Sequence, residues 1–543
     1  MDDKKQGSQF VKQAMILALA SFLSRLLGFI YRMPLTNKIG DEGNAYYGKA
    51  YTVYTFILIF SSAGLPSAIS KLVSERISLG RRDEAHRVFK AALAVSAAFG
   101  AVCMAALFFG ARAFSVFMDS PNSYYSLLAL APTVFIVAVM SAFRGYFQGL
   151  GTSVPTSVSQ VVEQGFNAVF SIVLASLFMD MVSENPIALG AAGGSAGTGV
   201  GAVFGIFTVV AFYFMQKREI DYAVNRSRQA NIRKARAGFG SLAAEILKTS
   251  MPIIAGTAVL TITNLIDSSM MTDRLLAGGL SIERADELFG QLTGKYSTII
   301  TLPLSISAVF ATASMPSISS SNVLMNARAV EYKINTALRL TMMICVPAAA
   351  GLAILGDPIV RLLFRDYPEG GILIQIGAVN IIFMALNQIL TGPLQATGNV
   401  VIPIIAAGAG AAVKIISNFI LVPIPEINII GAVISTLLCY VTASAINWRM
   451  LKIRTGARLN FRSLMLKPLF SSVIMGAVCF IVYNCTLIAG AGNGLAAVAA
   501  IGMGFVVYLM LMFISGGITA DDVRLMPFGA RAAEFLRRNG FVR

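Results

Sequence analysis

Charge is scarce in this chain of 543 residues. Aspartate, glutamate, lysine and arginine make up 13% of it, where a soluble protein carries about 25%. That shortage excludes an ordinary soluble enzyme. Histidine is scarcer still: His86 stands alone in a basic stretch. Without a second histidine or a cysteine cluster, there is no case for a zinc site. The five cysteines, Cys103, Cys345, Cys439, Cys479 and Cys485, all lie in apolar runs and form no C-x-x-C. They read as packing residues, not as a disulfide framework or a redox motif. No small-residue cleavage site follows the polar start MDDKKQGSQFVKQ, so the first apolar run is expected to remain as a helix and not to leave as a signal peptide.

Apolar residues are what the chain has, 56% of the total, with a mean hydropathy of +0.72. A crossing takes about 20 apolar residues. Fourteen helices are expected near 13–33, 46–73, 89–114, 123–147, 154–179, 187–215, 246–271, 292–315, 334–355, 372–394, 400–422, 427–451, 466–487 and 495–514. These runs are too long and unbroken for barrel strands of about 10 alternating residues. The expected fold is therefore an all-α polytopic membrane protein. With the N-terminus placed in the cytoplasm, only eight of the 43 lysines and arginines fall in outer segments: Lys38, Lys49, Arg112, Arg274, Arg284, Lys295, Arg361 and Arg365. The positive-inside rule then puts both termini in the cytoplasm. The net charge of +16 follows from topology and contact with anionic lipid, and no nucleic-acid partner is expected.

The sequence also repeats itself. Ala63-Gly64-Leu65-Pro66-Ser67 is echoed by Ala313-Ser314-Met315-Pro316-Ser317, and Gly145-x-x-Gln148-x-x-Gly151 by Gly392-x-x-Gln395-x-x-Gly398, with Pro155 and Pro403 following. The pattern fits two six-helix lobes, 1–245 and 246–461, with a helix pair and tail appended over 462–543. Paired repeats of this kind build midplane sites in secondary transporters. Pro66 and Pro316 are expected to break or bend equivalent helices, which ordinary kinks would also explain.

Two motifs mislead. GNAYYGKA, 43–50, approaches a phosphate loop but ends in Ala50, without the hydroxyl that would meet magnesium. GTGVGA, 197–202, imitates a dinucleotide motif inside an apolar run, where small residues let helices pack closely. The basic segment 216–245, expected as the largest central loop, has too few acids for a metal-dependent glycosyltransferase.

Charges inside apolar runs are costly and mark pathways by default. Arg25 and Arg32 are seven residues apart, about two turns, and point to one side of the first helix. Two guanidiniums so placed suit a phosphate or pyrophosphate. Arg32 could otherwise snorkel to the outer interface, and Arg25 could otherwise belong to a structural ion pair. Lys295, at the outer start of the eighth helix, could add a third positive group. Glu163 and Lys414 hold roughly equivalent places in the two halves, each four residues before an asparagine, Asn167 and Asn418. A structural role, or a bridge between lobes, fits them. Asp267, with Asn264 three residues before it, offers oxygen ligands for a proton or sodium ion, although two residues do not make a site.

The string FRGYFQGLGTSVPTSVSQVVEQ, 143–164, resembles the helix 4–5 signature of the SpoVB group of flippases. SRLLGFIYR, 24–32, and GLPSAISKLVSE, 64–75, resemble the group's helix 1 and helix 2 motifs. The group lies in the multidrug/oligosaccharidyl-lipid/polysaccharide exporter superfamily, with the MurJ and MATE transporters, and the resemblance spans essentially the whole chain. It implies two six-helix lobes around a cavity that opens alternately inward and outward. It further implies a cationic site for the diphosphate head of a lipid-linked precursor, and an extra helix pair framing a groove for the polyprenyl tail. Arg25 and Arg32 match its helix 1 arginines. Where MurJ-like proteins carry arginines in helices 2 and 8, this chain offers Lys71 and Lys295, which departs from the pattern.

The resulting expectation is a flippase, not an enzyme, for a lipid II-like cell-wall precursor in the bacterial cytoplasmic membrane, serving peptidoglycan or spore-cortex synthesis. Its partners would be the lipid-linked oligosaccharide and membrane lipids, it would act as a monomer, and it would need no cofactor beyond a coupling Na+ or H+ or the membrane potential. The alternatives are a flippase for another lipid-linked polysaccharide and a MATE-like drug or cation antiporter. Two helix 1 arginines argue against cationic drugs.

Overall fold

The computed structural model describes residues 2–60, 64–181, 184–230, 238–323, 325–457, 459 and 461–517. Ala63, residues 231–237 of the expected basic loop and the expected tail from 518 onward lie outside the described residues.

Every described element is helical, as the long unbroken apolar runs dictate. In chain order they are α1 (Asp2–Leu58), α2 (Leu65–Ser78), α3 (Arg82–Phe117), α4 (Tyr124–Gly149), α5 (Val154–Met179), α6 (Pro186–Ala230), α7 (Phe239–Ala277) and α8 (Ile282–Gly290). There follow α9 (Ser297–Val323), α10 (Ala327–Leu363), α11 (Gly371–Gly377), α12 (Asn380–Ala396), α13 (Val401–Leu421), α14 (Ile430–Thr455), α15 (Phe461–Ile488) and α16 (Asn493–Ile514). A π-helical turn, Gln291–Tyr296, joins α8 to α9. Helix α1 is two runs meeting at Gly40, where φ is 72°. Among the described residues nine helices are long and apolar enough to cross a membrane, or ten if the bent pair α11 and α12 is one span. The chain is thus a multi-pass membrane protein, and by that test the count stays below the expected fourteen. Large side chains such as Phe108, Phe109, Phe470 and Phe480 are exposed, which would be costly in water and is natural against lipid.

The chain divides into two compact units, Met1–Gly294 and Lys295–Arg543. Within the first unit α7 packs on α1, α2 and α3, and α8 on α1 and α7. In the first unit a core of Leu65, Ile69, Val73, Phe89, Phe143 and Tyr146 joins α2, α3 and α4. In the second, Met343, Leu355, Met475, Cys479 and Tyr508 join α10 to α15 and α16. None of the five cysteines is in a disulfide with a described residue.

The second repeat holds at the level of single hydrogen bonds. After α4, Leu150 N donates to Tyr146 O, Gly151 N to Gln148 O and Thr152 N to Phe147 O; after α12, Thr397 N donates to Pro393 O, Gly398 N to Gln395 O and Asn399 N to Leu394 O. Gly151 and Gly398 have φ of 84° and 85°, the left-handed region that glycine enters without strain and that closes a helix C-terminus. Pro155 and Pro403 then lie in the first turns of α5 and α13. The first repeat diverges. Pro66 opens α2, whereas α9 runs through position 316.

The segment 216–245, expected as a loop, is mostly helix, since α6 continues to Ala230 and α7 starts at Phe239. The dinucleotide-like motif falls within α6, where a Cβ on Gly197 would stand 2.3 Å from Ser171 N and one on Gly201 2.5 Å from Glu163 O. These glycines let α5 and α6 touch backbone to backbone.

Candidate functional site

The two arginines of α1 occupy different surroundings. Arg25 is exposed and makes no hydrogen bond or ion pair with another described residue. Arg32 is half-buried in a tyrosine cluster contributed by the two runs of α1. Its guanidinium lies 5.7 Å from the centre of the Tyr47 ring, a cation–π distance, and its Nη1 is 3.5 Å from Thr293 O. Tyr31 Oη and Tyr47 Oη are 3.3 Å apart, and Tyr47 stacks on Tyr51 at 5.7 Å. The sharp turn at Gly40 returns the chain so that these rings meet. The first run of α1 therefore presents one open cation and one cation seated on aromatic faces.

The helix 4–5 string forms a polar seam. Arg144 Nη2 donates to Glu163 Oε2 at 2.7 Å and Arg144 Nε to Ser159 Oγ at 2.9 Å. Gln148 Nε2 lies 3.5 Å from Thr156 Oγ1. Its glycines serve contact with α2: a Cβ on Gly145 would stand 2.8 Å from Pro66 O, and one on Gly149 2.7 Å from Val73 Cβ. The helix 2 motif and the helix 4–5 motif are thus two sides of one packed joint. Glu163 has Arg144 as an ion-pair partner, one helix away, in keeping with a structural role. Lys414 is half-buried on α13, in the second unit.

The remaining expected residues are scattered. Lys71 is exposed on α2, 3.9 Å from Glu75. Lys295 lies in the second unit, buried, with its ammonium donating to Tyr367 O at 2.7 Å and Glu369 O at 3.0 Å and standing 5.7 Å from the Phe364 ring centre. Asn264 and Asp267 both lie on α7, the first exposed and the second half-buried.

One pair escapes the sequence reading. Lys49 Nζ meets Asp286 Oδ1 at 2.7 Å with both side chains buried, and stands 5.5 Å from the Phe289 ring centre. Burial pushes the Asp286 carboxyl above its ordinary range, and Lys49 pulls it back. Around the pair, α8 and the π-helical turn press onto α1. A Cβ on Gly290 would fall 1.7 Å from Asp41 O, one on Gly294 2.8 Å from Asn44 Cγ, and one on Gly48 2.8 Å from Thr293 Oγ1. GNAYYGKA is therefore a packing surface. A lone lysine in an apolar run is a signal that a buried carboxylate faces it, but Asp286 is 237 positions away.

A family model described as polysaccharide biosynthesis protein matches residues 10–322. The chain is 27% identical to stage V sporulation protein B of Bacillus subtilis (strain 168) over 538 residues, 96% of this chain and 98% of that one. It is 24% identical to the lipid II flippase MurJ of the same organism over 466 residues, 83% of this chain and 84% of that one. Among solved structures, the inward closed conformation of the lipid II flippase MurJ superposes with a TM-score of 0.69 at 17% identity, covering 92% of this chain and 98% of that one.

Proposed function

Because the chain belongs to the polysaccharide biosynthesis protein family, we propose that it is a flippase. Its cargo would be a polyprenyl-diphosphate-linked cell-wall precursor of the lipid II kind, carried across the bacterial cytoplasmic membrane by alternating access for peptidoglycan or spore-cortex synthesis. One observation supports the reading: Arg25 and Arg32 stand seven residues apart on the first run of α1, and Arg25 is exposed with no hydrogen bond or ion pair to another described residue. A diphosphate is the ligand that paired guanidiniums bind through bidentate, charge-assisted hydrogen bonds. In this mechanism the head group exchanges its hydration for those hydrogen bonds while the tail stays in lipid. The tyrosines about Arg32 hold one guanidinium in place, so less side-chain entropy is lost on binding. The membrane potential, or Na+ or H+ at Asn264 and Asp267, resets the carrier. It works as a monomer with both termini in the cytoplasm, and its partners are the lipid-linked oligosaccharide and membrane lipids. The description of the matching family favours a second cargo, another lipid-linked polysaccharide, in which only the sugar head differs.

The test is translocation in proteoliposomes of purified lipid II beside a polyprenyl monophosphate without the sugar head. Lipid II is expected to move faster, and Arg25→Ala and Arg32→Ala each to slow it by about tenfold or more, the worth of one charge-assisted hydrogen bond. Unchanged rates in both variants would sink the arginine site. Equal rates for the two lipids would sink the diphosphate head as the recognised feature.

A further inference from the structure

At the far end of α6 lies a cavity of about 690 Å³, lined by Gly80, Arg82, Arg218, Tyr222, Arg226 and Ser227, with Glu219 and Ala223 beside them. It is built by an unusually long helix. The 45 residues of α6 span about 67 Å, against a hydrocarbon core of about 30 Å. The apolar run of α6 ends at Met215, and polar sequence continues from Gln216 to Ala230 without leaving the helix. The cavity begins at Arg218, one turn beyond that boundary, where head groups lie. Tyr222, 69% exposed, is the aromatic type that favours this depth.

The extension is held in place. Ser227 Oγ lies 3.1 Å from Gly80 O and 3.0 Å from Asp83 Oδ1, either of which can accept its one proton, tying α6 to the turn between α2 and α3. Of the two carboxylates in the first turn of α3, Asp83 is engaged by Ser227 and Glu84 lies 3.5 Å from Arg81. Arg82, Arg218 and Arg226 have no ion pair or hydrogen bond with another described residue. Three guanidiniums thus line one cavity beside a single lining carboxylate, Glu219, while Asp83 keeps its charge behind Ser227. All three arginines are exposed, and they line the same cavity.

We propose that this cavity binds a phosphate-bearing anion, held between Arg82 on α3 and Arg218 and Arg226 on α6. The site shares no lining residue with Arg25 or Arg32 and does not depend on the cargo. Two sources carry that chemistry, the head group of an anionic lipid and a soluble phosphate compound. The volume admits a diphosphate or a glycerophosphate head group.

The experiment uses the full-length protein in phosphatidylcholine nanodiscs. One arm adds a small fraction of phosphatidylglycerol and counts retained lipid by native mass spectrometry. The other titrates inorganic pyrophosphate into discs without anionic lipid and follows amide exchange over 216–230. Arg218→Ala/Arg226→Ala is expected to weaken binding at least about tenfold. Lys217→Ala/Arg228→Ala removes the same charge from the same helix outside the cavity and is expected to change it less than about twofold. Loss confined to the first variant supports the site, with the lipid arm naming a head group as ligand and the pyrophosphate arm a soluble compound. Equal losses in the two double variants would reduce the effect to general electrostatics and overturn the proposal, as would no binding in either arm.

Discussion

Lys49→Ala is expected to destabilise the solubilised protein by about 3–5 kcal/mol, the usual effect of removing one member of a buried ion pair. The cost arises less from the lost attraction than from the carboxylate left behind. Asp286 is 3% exposed and Lys49 is its ion-pair partner. Two further results follow. Replacing both partners, as Lys49→Met/Asp286→Leu, is expected to restore most of the loss, because no charge is then buried alone. The defect of Lys49→Ala is also expected to grow with pH. Burial already raises the Asp286 carboxyl, and removing the ammonium raises it further. A folded-state pKa above the unfolded value leaves stability intact at low pH and removes it as pH rises through the folded value. Thermal unfolding of the single and double variants at acidic and neutral pH checks this. A single variant as stable as the parent at neutral pH would show that the pair does not bind α8 to α1.

Gly290→Ala is expected to cost about 3 kcal/mol, at the upper end for overpacking a close contact. The added methyl would fall 1.7 Å from Asp41 O. The obstacle is backbone, so no side-chain rotation relieves it, and α8 must move off α1 in the same region that buries Lys49. Gly408→Ala on α13 is the control. A Cβ there meets nothing within 4 Å, and the change is expected to stabilise the helix by about 0.5–1 kcal/mol. The midpoint difference between the two variants in one detergent separates local packing from a general effect of the added methyl. A Gly290→Ala protein that melts with the parent would mean that α8 sits farther from α1 than these distances state.

These two positions also mark the limit of what could be read without coordinates. The apolar runs announced helices because hydrophobicity acts over each 20-residue stretch by itself, and the turns after α4 and α12 were legible because a left-handed glycine and its three hydrogen bonds lie within seven residues. The motif glycines of α6 were rightly read as packing residues for the same reason: their company is apolar and small. Arg25 and Arg32 could be placed on one side of one helix by spacing alone. Partners could not. Glu163 is joined to Arg144, 19 positions before it, and nothing in the spacing of the two announced that pair. The arginine cavity brings position 82 beside position 226, and it depends on a helix that continues through sequence polar enough to look like a loop. Helices, their turns and the sign of the charge on each segment depend on neighbours along the chain, so composition and spacing determined them. Which lysine is neutralised by which aspartate, and which arginines are left open to a ligand, depend on elements brought together from far apart by packing, and only the tertiary structure decided them.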